Sequence, residues 1–258
     1  MNKDLETFFR QKERFALAFS GGVDSSYLLY AALSFGADVR AYYVKTAFQP
    51  EFEFADAKKL AKELAARFTG GDASFLRVLR ADILSVKEAA ANPANRCYFC
   101  KQAIFGNILR AAKEDGCTLV LDGTNASDDA GDRPGMKALR ELSVRSPLRE
   151  CGLTKADIRA LSREAELFTW DKPSYACLAT RVPAGTPITA DILEKTEKAE
   201  DFLFSLGFTD FRVRYRDGAA LLQVPAAQLS LLLEKRETVL SGLRAYYPKV
   251  WLDLETRW

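Results

Sequence analysis

The stretch that decides the fold is FALAFSGGVDSSYLL, residues 15–29. Its apolar beginning, residues 15–19, predicts a short buried strand, and the segment from residue 23 predicts a helix that ends at Gly36. Between them, residues 20–26 contain two adjacent glycines, which let the backbone approach a ligand and direct successive N–H groups inward. The start of the helix adds a partial positive charge, and serine hydroxyls add further donors. A chain of phosphates is the ligand that suits such a cradle.

This loop matches neither of two common phosphate motifs. It lacks the G-x-x-x-x-G-K-[ST] of a Walker loop and the G-x-G-x-x-G of a dinucleotide-binding fold. Its S-G-G-x-D-S pattern resembles the PP-loop of ATP pyrophosphatases, which implies that it holds the pyrophosphate that leaves when ATP adenylates a substrate oxygen. The alternative is a glycine turn capped by serine. The resemblance predicts magnesium binding by Asp24 and ATP binding by Ser20, Gly21, Gly22, Asp24, Ser25 and Ser26.

Strand and helix patterns alternate along the first two-thirds of the chain. Further strands are predicted at 39–47, 74–80 and 117–124, and helices at 54–68, 98–114 and 155–166. The segment 121–139 is too rich in Gly, Asn and Asp to be predicted as a helix. Such alternation predicts an α/β fold, with a mostly parallel sheet flanked by helices. The PP-loop resemblance implies the adenine nucleotide alpha hydrolase-like version of this fold. Thr154 and Asp157 resemble a capping box at the start of the last of these helices.

The pattern changes after the Pro- and Gly-rich segment 171–187. The prediction is then a helix at 190–206, a hairpin across Asp217 and Gly218, a helix at about 226–246 and a strand at 249–255. We therefore expect two domains. The first is a PP-loop domain at 1–183, and the second is a small C-terminal α+β domain for substrate binding or oligomerisation at 184–258.

The composition excludes several classes of function. The 258 residues are 48% hydrophobic and 28% charged with a net charge of +2, too balanced for bulk nucleic-acid binding. No apolar run is long enough to span a bilayer, and the charged N-terminal segment lacks a signal-peptide core. We therefore expect a cytoplasmic protein without a membrane partner. The chain contains no histidine, which removes imidazole as a general base or a metal ligand.

Six segments together resemble the LarE family, the ATP-dependent sacrificial sulfur transferases. They are FSGGVDSS, NRCYFCK, DGTNASDDAGDRPGMKAL, SPLRECGLTKADIRAL, WDKPSYACLATRVPAGTPIT and AEDFLFSLGFTDFRVRYRDG, and they cover most of residues 15–218. The resemblance implies that MgATP adenylates a carboxylate of pyridinium-3,5-biscarboxylic acid mononucleotide. Sulfur then replaces AMP to give a thiocarboxylate, and the second carboxylate follows. This chemistry belongs to the synthesis of the nickel-pincer nucleotide of lactate racemase.

The resemblance also implies roles for residues outside the loop. Cofactor binding is implied for Lys101, Gly123, Asp129, Arg133 and Arg181, and catalytic roles for Glu200, Arg212 and Arg214. Arg212 and Arg214 match an R-V-R element, whose guanidinium groups suit an anionic mononucleotide. Arg216 shares their face of the predicted strand, and the alternative for this face is simple exposure to solvent. Gln223 and Arg216 stand where the family has an acidic residue and often a histidine, which argues against a second metal site at this hairpin.

Three of the five cysteines are candidates for sulfur chemistry. Cys177 matches the cysteine of the family's ACLxxR loop, which in one branch gives up its own sulfur and becomes dehydroalanine. Cys97 and Cys100 form a C-x-x-C that matches a second branch, in which three cysteines hold a [4Fe–4S] cluster. We predict a cluster on Cys97, Cys100 and Cys177, with a sacrificial Cys177, zinc or a disulfide as alternatives. Cys117 and Cys151 are predicted to be structural.

Other functions stay open at the level of sequence. A tRNA-thiolating PP-loop enzyme shares the loop and the C-x-x-C, but the balanced charge and the lack of an appended RNA-binding module argue against it. An amide-forming PP-loop ligase is a second alternative, although a chain without histidine has no cysteine–histidine glutaminase. A non-enzymatic ATP-binding module would bind nucleotide without releasing pyrophosphate. We expect a small-molecule nucleotide substrate and no nucleic acid, and the family resemblance implies a homo-oligomer.

Overall fold

The computed structural model describes residues 2–11, 13–128 and 133–255. Its α-helices are α1 Lys3–Phe9, α2 Val23–Ser34, α3 Glu51–Phe68, α4 Lys87–Ala90, α5 Arg96–Glu114, α6 Pro134–Glu141, α7 Pro147–Glu150, α8 Lys155–Glu164, α9 Ala190–Ser205, α10 Leu229–Glu234 and α11 Arg236–Arg244. Its strands are β1 Arg14–Ala18, β2 Asp38–Lys45, β3 Leu76–Arg80, β4 Leu119–Leu121, β5 Arg212–Arg216, β6 Ala219–Gln223 and β7 Val250–Leu252. Short 3-10 helices cover Ile83–Ser85, Leu178–Arg181 and Ala226–Gln228. Within these described parts of the chain, no helix combines the length and apolar character needed to cross a bilayer.

By backbone packing, the chain divides into two compact units. Unit 1 comprises the chain up to Thr46, together with Glu51–Asp82 and Asn95–Lys172. Unit 2 comprises Ala47–Pro50, Ile83–Ala94 and the chain from Pro173 onward. Residues 173–183 therefore pack with the C-terminal hairpin, whereas the predicted first domain extends to residue 183. The roles expected for the two domains stay predictions.

Unit 1 is built on a four-stranded sheet in the order β3-β2-β1-β4, in which all neighbours are parallel. This sheet, with helices beside it, confirms the predicted α/β class and is consistent with a PP-loop-like fold. β1 lies between β2 and β4. The chain continues from β1 to β2 and β3 on one side of β1, and it then crosses to β4 on the other side. Open parallel sheets bind their ligands at such a switch point, beyond the carboxyl ends of the two strands. The loop after β1 and the segment after β4 meet there.

The core of unit 1 follows from a central strand that is apolar on both faces. Phe15 and Leu17 belong to one buried cluster, which includes Leu28 of α2. Ala16, on the opposite face, belongs to a second cluster with Phe105 of α5. Helices must cover both faces of a parallel sheet. Ligand access is therefore left to the edge where the strands end.

Unit 2 contains a three-stranded sheet in the order β5-β6-β7. β5 and β6 are antiparallel, and β6 and β7 are parallel. The predicted hairpin turn is confirmed, with Asp217 and Gly218 at φ of 49° and 80°. Leu203 of α9 and Leu243 of α11 pack with Val213 of β5 in one buried cluster.

Two predicted features are wrong. The Gly-, Asn- and Asp-rich segment 121–139 is predicted to lack helix, but α6 begins inside it at Pro134, whose fixed φ suits the first helical position. The single helix predicted at about 226–246 is instead a 3-10 turn followed by α10 and α11, which meet at Lys235. On either side of this break, Leu232 and Leu243 both reach the core of unit 2.

Candidate functional site

The loop after β1 is held by its own serines. Ser25 Oγ accepts a hydrogen bond from the Ser20 backbone N–H at 3.2 Å and lies 3.0 Å from Ser20 Oγ. It donates to the Gly22 carbonyl at 3.2 Å, and the Ser26 N–H donates to the same carbonyl at 3.0 Å. Ser26 Oγ is fully buried and has no hydrogen-bond partner among the described residues. Buried hydroxyls normally have partners, so this start of α2 retains an unused donor.

Glycines allow the loop to pack closely against its neighbours. Gly21 has a φ of +75°, and a Cβ there would lie 3.0 Å from Ala57 Cβ. Gly123, in the segment after β4, lies so near the loop that a Cβ would be 2.9 Å from the Ser25 backbone N. Side chains are therefore excluded at both positions. At Gly123 the backbone after β4 contacts the backbone of the predicted phosphate loop.

Two side chains hold Asp24, in the first turn of α2. Lys155 Nζ lies 2.6 Å from Asp24 Oδ2, and Asn125 Nδ2 donates to Asp24 Oδ1 at 3.3 Å. The Lys155 side chain is 35% exposed and that of Asp24 is 23% exposed, so solvent still reaches the pair. The arrangement places a carboxylate and an ammonium group together at the mouth of the loop, where phosphates and a divalent cation would carry the complementary charges.

Lys155 owes its position to the predicted capping box. Thr154 Oγ1 accepts from the Asp157 N–H at 3.2 Å, and Asp157 Oδ2 accepts from the Thr154 N–H at 2.9 Å. These reciprocal bonds start α8 with Lys155 as its first residue. The Lys155 N–H also donates to Ser127 Oγ at 2.9 Å. No local sequence pattern reveals this role of Lys155, because Asp24 lies 131 residues away along the chain.

Asp122 anchors the polar segment after β4. Its Oδ1 accepts from Ser146 Oγ at 2.6 Å, and its Oδ2 accepts from Thr124 Oγ1 at 2.5 Å. The segment continues with a bond from the Asn125 N–H to Asp128 Oδ2 at 2.9 Å. The backbone of Asn125, the partner of Asp24, is therefore held by the Asp128 carboxylate. The predicted site residue Asp129 lies outside the described residues.

Lys101 and Arg133 are the other predicted cofactor-binding residues of unit 1. The Lys101 side chain packs on α6, where a Cβ at Gly135 would lie 3.2 Å from Lys101 Cε. Burial lowers the pKa of the Lys101 ammonium group, although the charges of Asp122 and Cys97 act in the opposite direction. Arg133, directly before α6, is exposed. Their predicted roles in binding ATP stay predictions.

Cys97 and Cys100 lie together at the start of α5. Residues three apart share one face of a helix, and Cys97 is exposed while Cys100 is partly exposed. Neither is joined in a disulfide, and the same holds for Cys177, which belongs to unit 2. Among the residues that the structure describes, no three Cys, Asp or Glu side chains are grouped so that they could hold a metal ion. The three-cysteine site stays a prediction.

In unit 2, two arginines of β5 hold the segment that contains Cys177. Arg212 Nη2 donates to the Ser174 carbonyl at 2.9 Å, and Arg214 Nη1 donates to the Thr180 carbonyl at 2.8 Å. Arg212 is buried and Arg214 is half-buried, so the alternative of a solvent-exposed strand face is wrong for these two residues. It is correct for Arg216, which is exposed.

Arg181 and Glu200 form a buried ion pair in unit 2. Arg181 Nε lies 2.8 Å from Glu200 Oε1, and Arg181 Nη2 lies 3.1 Å from Oε2. The two side chains are 1% and 2% exposed. Burial alone would lower the pKa of Arg181, but the hydrogen bond and the charge of Glu200 outweigh it and raise that pKa. The Val213 N–H also donates to Glu200 Oε1 at 2.9 Å, so this geometry favours a role for Glu200 in orienting its neighbours.

Gln223, which departs from the family pattern, connects β5 to the end of the chain. Arg214 Nε donates to Gln223 Oε1 at 2.5 Å, and Gln223 Nε2 donates to Asp253 Oδ2 at 2.6 Å. The amide thus satisfies a cation on one side and an anion on the other.

Known proteins resemble this chain over nearly its whole length, although no family model matches it. It is 34% identical over 245 residues to the pyridinium-3,5-bisthiocarboxylic acid mononucleotide synthase of Lactiplantibacillus plantarum, covering 94% of this chain and 86% of that protein. It is 32% identical over 235 residues to the uncharacterized protein slr1717 of Synechocystis, covering 90% and 84%. It is 27% identical over 256 residues to the uncharacterized protein MJ0830 of Methanocaldococcus jannaschii, covering 99% and 94%. Together with the segments that resemble LarE proteins, these similarities show that the chain belongs to the LarE family.

Proposed function

We propose that this chain is an ATP-dependent sulfur transferase that makes pyridinium-3,5-bisthiocarboxylic acid mononucleotide, on the route to the nickel-pincer nucleotide of lactate racemase. Its substrate would be pyridinium-3,5-biscarboxylic acid mononucleotide. The observation that carries the proposal is the PP-loop at the switch point of the unit 1 sheet, with Asp24 and Lys155 at its mouth. The relative from Lactiplantibacillus plantarum, named as the synthase of that product, supports the choice of substrate.

The proposed reaction has two chemical steps for each carboxylate. A substrate carboxylate oxygen attacks the α-phosphorus of ATP, and pyrophosphate leaves with the electron pair of the broken P–O bond. A sulfur nucleophile then attacks the acyl carbon, and AMP leaves with the carboxylate oxygen. Adenylation is needed because a free carboxylate is a poor electrophile. A sulfur that is already anionic needs no general base, which agrees with a chain that contains no histidine.

Loop residues of unit 1 would bind ATP in this scheme. The N–H groups at the start of α2 and the unused hydroxyl of Ser26 would donate to phosphate oxygens. Asp24 would contribute a carboxylate oxygen to Mg²⁺, with phosphate oxygens and water as the other ligands. Lys155 would then turn from Asp24 toward the phosphates. Lys101, Gly123, Asp129, Arg133 and Arg181 remain candidates for contact with the nucleotides.

Two sources of sulfur fit the thiols of the chain. Cys97 and Cys100 share a helix face, are not joined in disulfides, and are at least partly accessible to solvent, which suits soft iron ligation. With Cys177 they would supply three ligands to a [4Fe–4S] cluster, whose fourth iron could bind an additional sulfide. The alternative is that Cys177 supplies its own sulfur. Glu200, Arg212 and Arg214 are proposed to act beside Cys177, and the arginines would also attract the anionic mononucleotide.

A single assay tests the main proposal. The full-length chain is incubated with MgATP, a sulfide source and the biscarboxylate mononucleotide, and both pyrophosphate and the product mass are measured. We expect pyrophosphate release that depends on the mononucleotide, with replacement of carboxylate oxygen by sulfur. Asp24→Asn should abolish both, whereas Asp191→Asn, which removes the same charge from an exposed ion pair with Lys195, should leave both unchanged. Absence of release with this substrate would contradict the proposal.

The same assay separates the alternatives. Release with tRNA but not with the mononucleotide would indicate a tRNA-thiolating enzyme, and release with ammonia and an acid would indicate an amide-forming ligase. Nucleotide binding without any release would indicate a non-enzymatic module. We also propose a homo-oligomer, which light scattering of the purified chain would test.

A further inference from the structure

The segment that contains Cys177 is fixed by side chains rather than by regular secondary structure. Residues 173–177 form neither helix nor strand, and only the short 3-10 helix Leu178–Arg181 follows them. The carbonyl of Ser174 accepts from Arg212, and the carbonyl of Ala176 accepts from Arg181 Nη1 at 3.0 Å. Guanidinium groups therefore hold the backbone just before the thiol.

The backbone at the thiol and just after it is fixed as well. The Cys177 carbonyl accepts from Thr180 Oγ1 at 2.8 Å and from the Thr180 N–H at 2.9 Å. The Leu178 N–H donates to the Phe48 carbonyl at 2.9 Å. The backbone of Cys177 is therefore held on both sides. The position of its sulfur depends on the side chains that keep Arg181 and Arg212 in place.

Tyr175 contacts three side chains that orient this segment, namely Arg181, Arg212 and Glu200. Two guanidinium groups lie beside its ring, with the centroid 4.5 Å from Arg181 Cζ and 5.2 Å from Arg212 Cζ. Its hydroxyl donates to Glu200 Oε2, the oxygen that also accepts from Arg181 Nη2. A cation beside an aromatic face is attracted by the ring quadrupole, and a hydrogen bond to a buried carboxylate is among the stronger kinds. One side chain thus bridges both arginines and the carboxylate.

We propose that Tyr175 is a positioning residue for Cys177, which acts by holding Arg181, Arg212 and Glu200 in the arrangement that fixes the Cys177 backbone. The inference rests on the proposed function in one respect, namely that the sulfur transfer step passes through Cys177, whether as ligand or as donor. Tyr175 itself need not touch substrate. Because misplacement of a reacting group by about 1 Å can cost about 100-fold in rate, a loosened segment should slow sulfur transfer selectively.

The two interactions of Tyr175 can be separated by substitution. Tyr175→Phe keeps the ring beside the two guanidinium groups and removes the bond to Glu200. Tyr175→Leu removes both. Tyr247→Phe is the matched control, because Tyr247 is a buried tyrosine of the same unit whose hydroxyl lies 2.7 Å from Thr196 Oγ1. It removes a buried hydroxyl bond that has no part in holding the Cys177 segment.

The first readout is the yield of thiocarboxylate per pyrophosphate released. Positioning predicts that Tyr175→Phe lowers this ratio about tenfold and that Tyr175→Leu lowers it further, while pyrophosphate release changes less than about twofold. A purely structural role would lower both products together and leave the ratio unchanged. Tyr247→Phe should keep the wild-type ratio. An unchanged ratio in both Tyr175 variants would overturn the proposal.

The second readout needs no substrate and therefore stands apart from the proposed function. The full-length chain is treated with a chelator and a phosphine reductant, and the rate of Cys177 alkylation by iodoacetamide is followed by peptide mass spectrometry. We expect a rate at least about threefold faster in Tyr175→Phe, with no change in Tyr247→Phe and no change at Cys97 in either variant. Equal Cys177 rates in wild type and both Tyr175 variants would overturn the positioning role, even where the wild-type chain forms thiocarboxylate.

Discussion

Lys155 Nζ lies 2.6 Å from Asp24 Oδ2, so the first residue of α8 is ion-paired with the acidic residue of the proposed PP-loop after β1. This relationship joins two segments that are remote in sequence at the carboxyl edge of the unit 1 sheet. MgATP would supply a divalent cation to Asp24 and phosphate oxygens to Lys155. On binding, Mg²⁺ would replace the Lys155 ammonium group beside Asp24, and phosphate would replace the Asp24 carboxylate beside Lys155. The ion pair thus holds the Lys155 side chain at the loop before nucleotide binds.

Lys155→Met should impair pyrophosphate release without unfolding the chain. Loss of a single charged donor to a transferring phosphoryl group typically costs about 100-fold or more, so we expect a drop of about 100-fold in kcat/KM for ATP. Steady-state release of pyrophosphate measures it, with circular dichroism to confirm folding. Lys195→Met, which breaks the exposed pair with Asp191 at 2.7 Å, is the control and should change the rate less than about twofold. Equal rates in both variants would show that Lys155 does not contact the phosphates.

Gly123→Ala should displace the PP-loop. The new Cβ would lie 2.9 Å from the Ser25 backbone N, so strand end or loop must shift, and ATP binding should weaken by about tenfold or more. Isothermal titration with a non-hydrolysable ATP analogue measures this effect. Gly106→Ala is the matched control, because a Cβ there meets nothing within 4 Å and lies inside α5. It should bind normally and gain up to about 1 kcal/mol of stability. Normal binding by Gly123→Ala would contradict the close approach of the two segments.

Asp115→Asn should destabilise unit 1 at neutral pH and destabilise it less in acid. Burial alone would raise the pKa of Asp115, but hydrogen bonds from Tyr42, Arg40 and Arg77 outweigh it and lower the pKa from 3.8 to about 2. The folded pKa is below the unfolded one, so the stabilisation is present above about pH 4 and is lost as the pH falls toward 2. After a discount for solvent screening, we expect a loss of about 1 kcal/mol in the free energy of unfolding at pH 7.

Urea unfolding of wild type and variant at pH 7 and at about pH 3 measures this difference. Asp38→Asn is the control, because its side chain is 66% exposed and lies 3.5 Å from Arg14. It should change the free energy of unfolding by less than about 0.5 kcal/mol at either pH. A destabilisation by Asp115→Asn that is equal at both pH values would contradict the ionic origin of the effect.

Cys97→Ser and Cys100→Ser should each reduce the iron that the chain retains. After anaerobic purification we expect iron, sulfide and a visible absorption band in the wild type, and loss of most of each in both variants. Cys117→Ser is the control, since Cys117 lies 3.6 Å from the Tyr42 hydroxyl and packs against the unit 1 core. It should retain the wild-type iron content. A colourless, iron-free wild-type chain that still forms thiocarboxylate would exclude the cluster and favour Cys177 as donor.

Three features could be predicted from short stretches of sequence: the strand, loop and helix near the N-terminus, the capping box of α8 and the hairpin between β5 and β6. The run from residue 15 to residue 34 shows strand, loop and helix in order, because apolar periodicity, paired glycines and a helix start follow one another directly. The capping box of Thr154 and Asp157 is equally local, and the structure contains it. The hairpin at Asp217 and Gly218 can be predicted from this pair of turn residues and from the alternation of apolar and polar residues in the two flanking strands.

The misses have non-local causes. α6 starts at Pro134, directly after a polar segment. Proline favours the first position of a helix, but the Gly and Asp residues around it are typical of loops and dominate the local prediction. The break at Lys235 has no Gly or Pro to mark it, since packing of Leu232 and Leu243 in unit 2 decides it. Lys155 and Tyr175 act through partners distant in sequence, so only folding brings them to Asp24 and Glu200.

The buried pair of Arg181 and Glu200 has a consequence for the order in which unit 2 opens. Residues 174–181 lack long secondary structure, yet the Ser174 carbonyl accepts from Arg212 of β5. The Ala176 carbonyl accepts from Arg181, whose guanidinium group is paired with Glu200 of α9. Opening this segment alone would remove Arg181 and leave the buried Glu200 carboxylate without its paired cation, which is costly. The segment and the hairpin should therefore open as one cooperative unit, and amide protons such as that of Val213 should exchange only when both do.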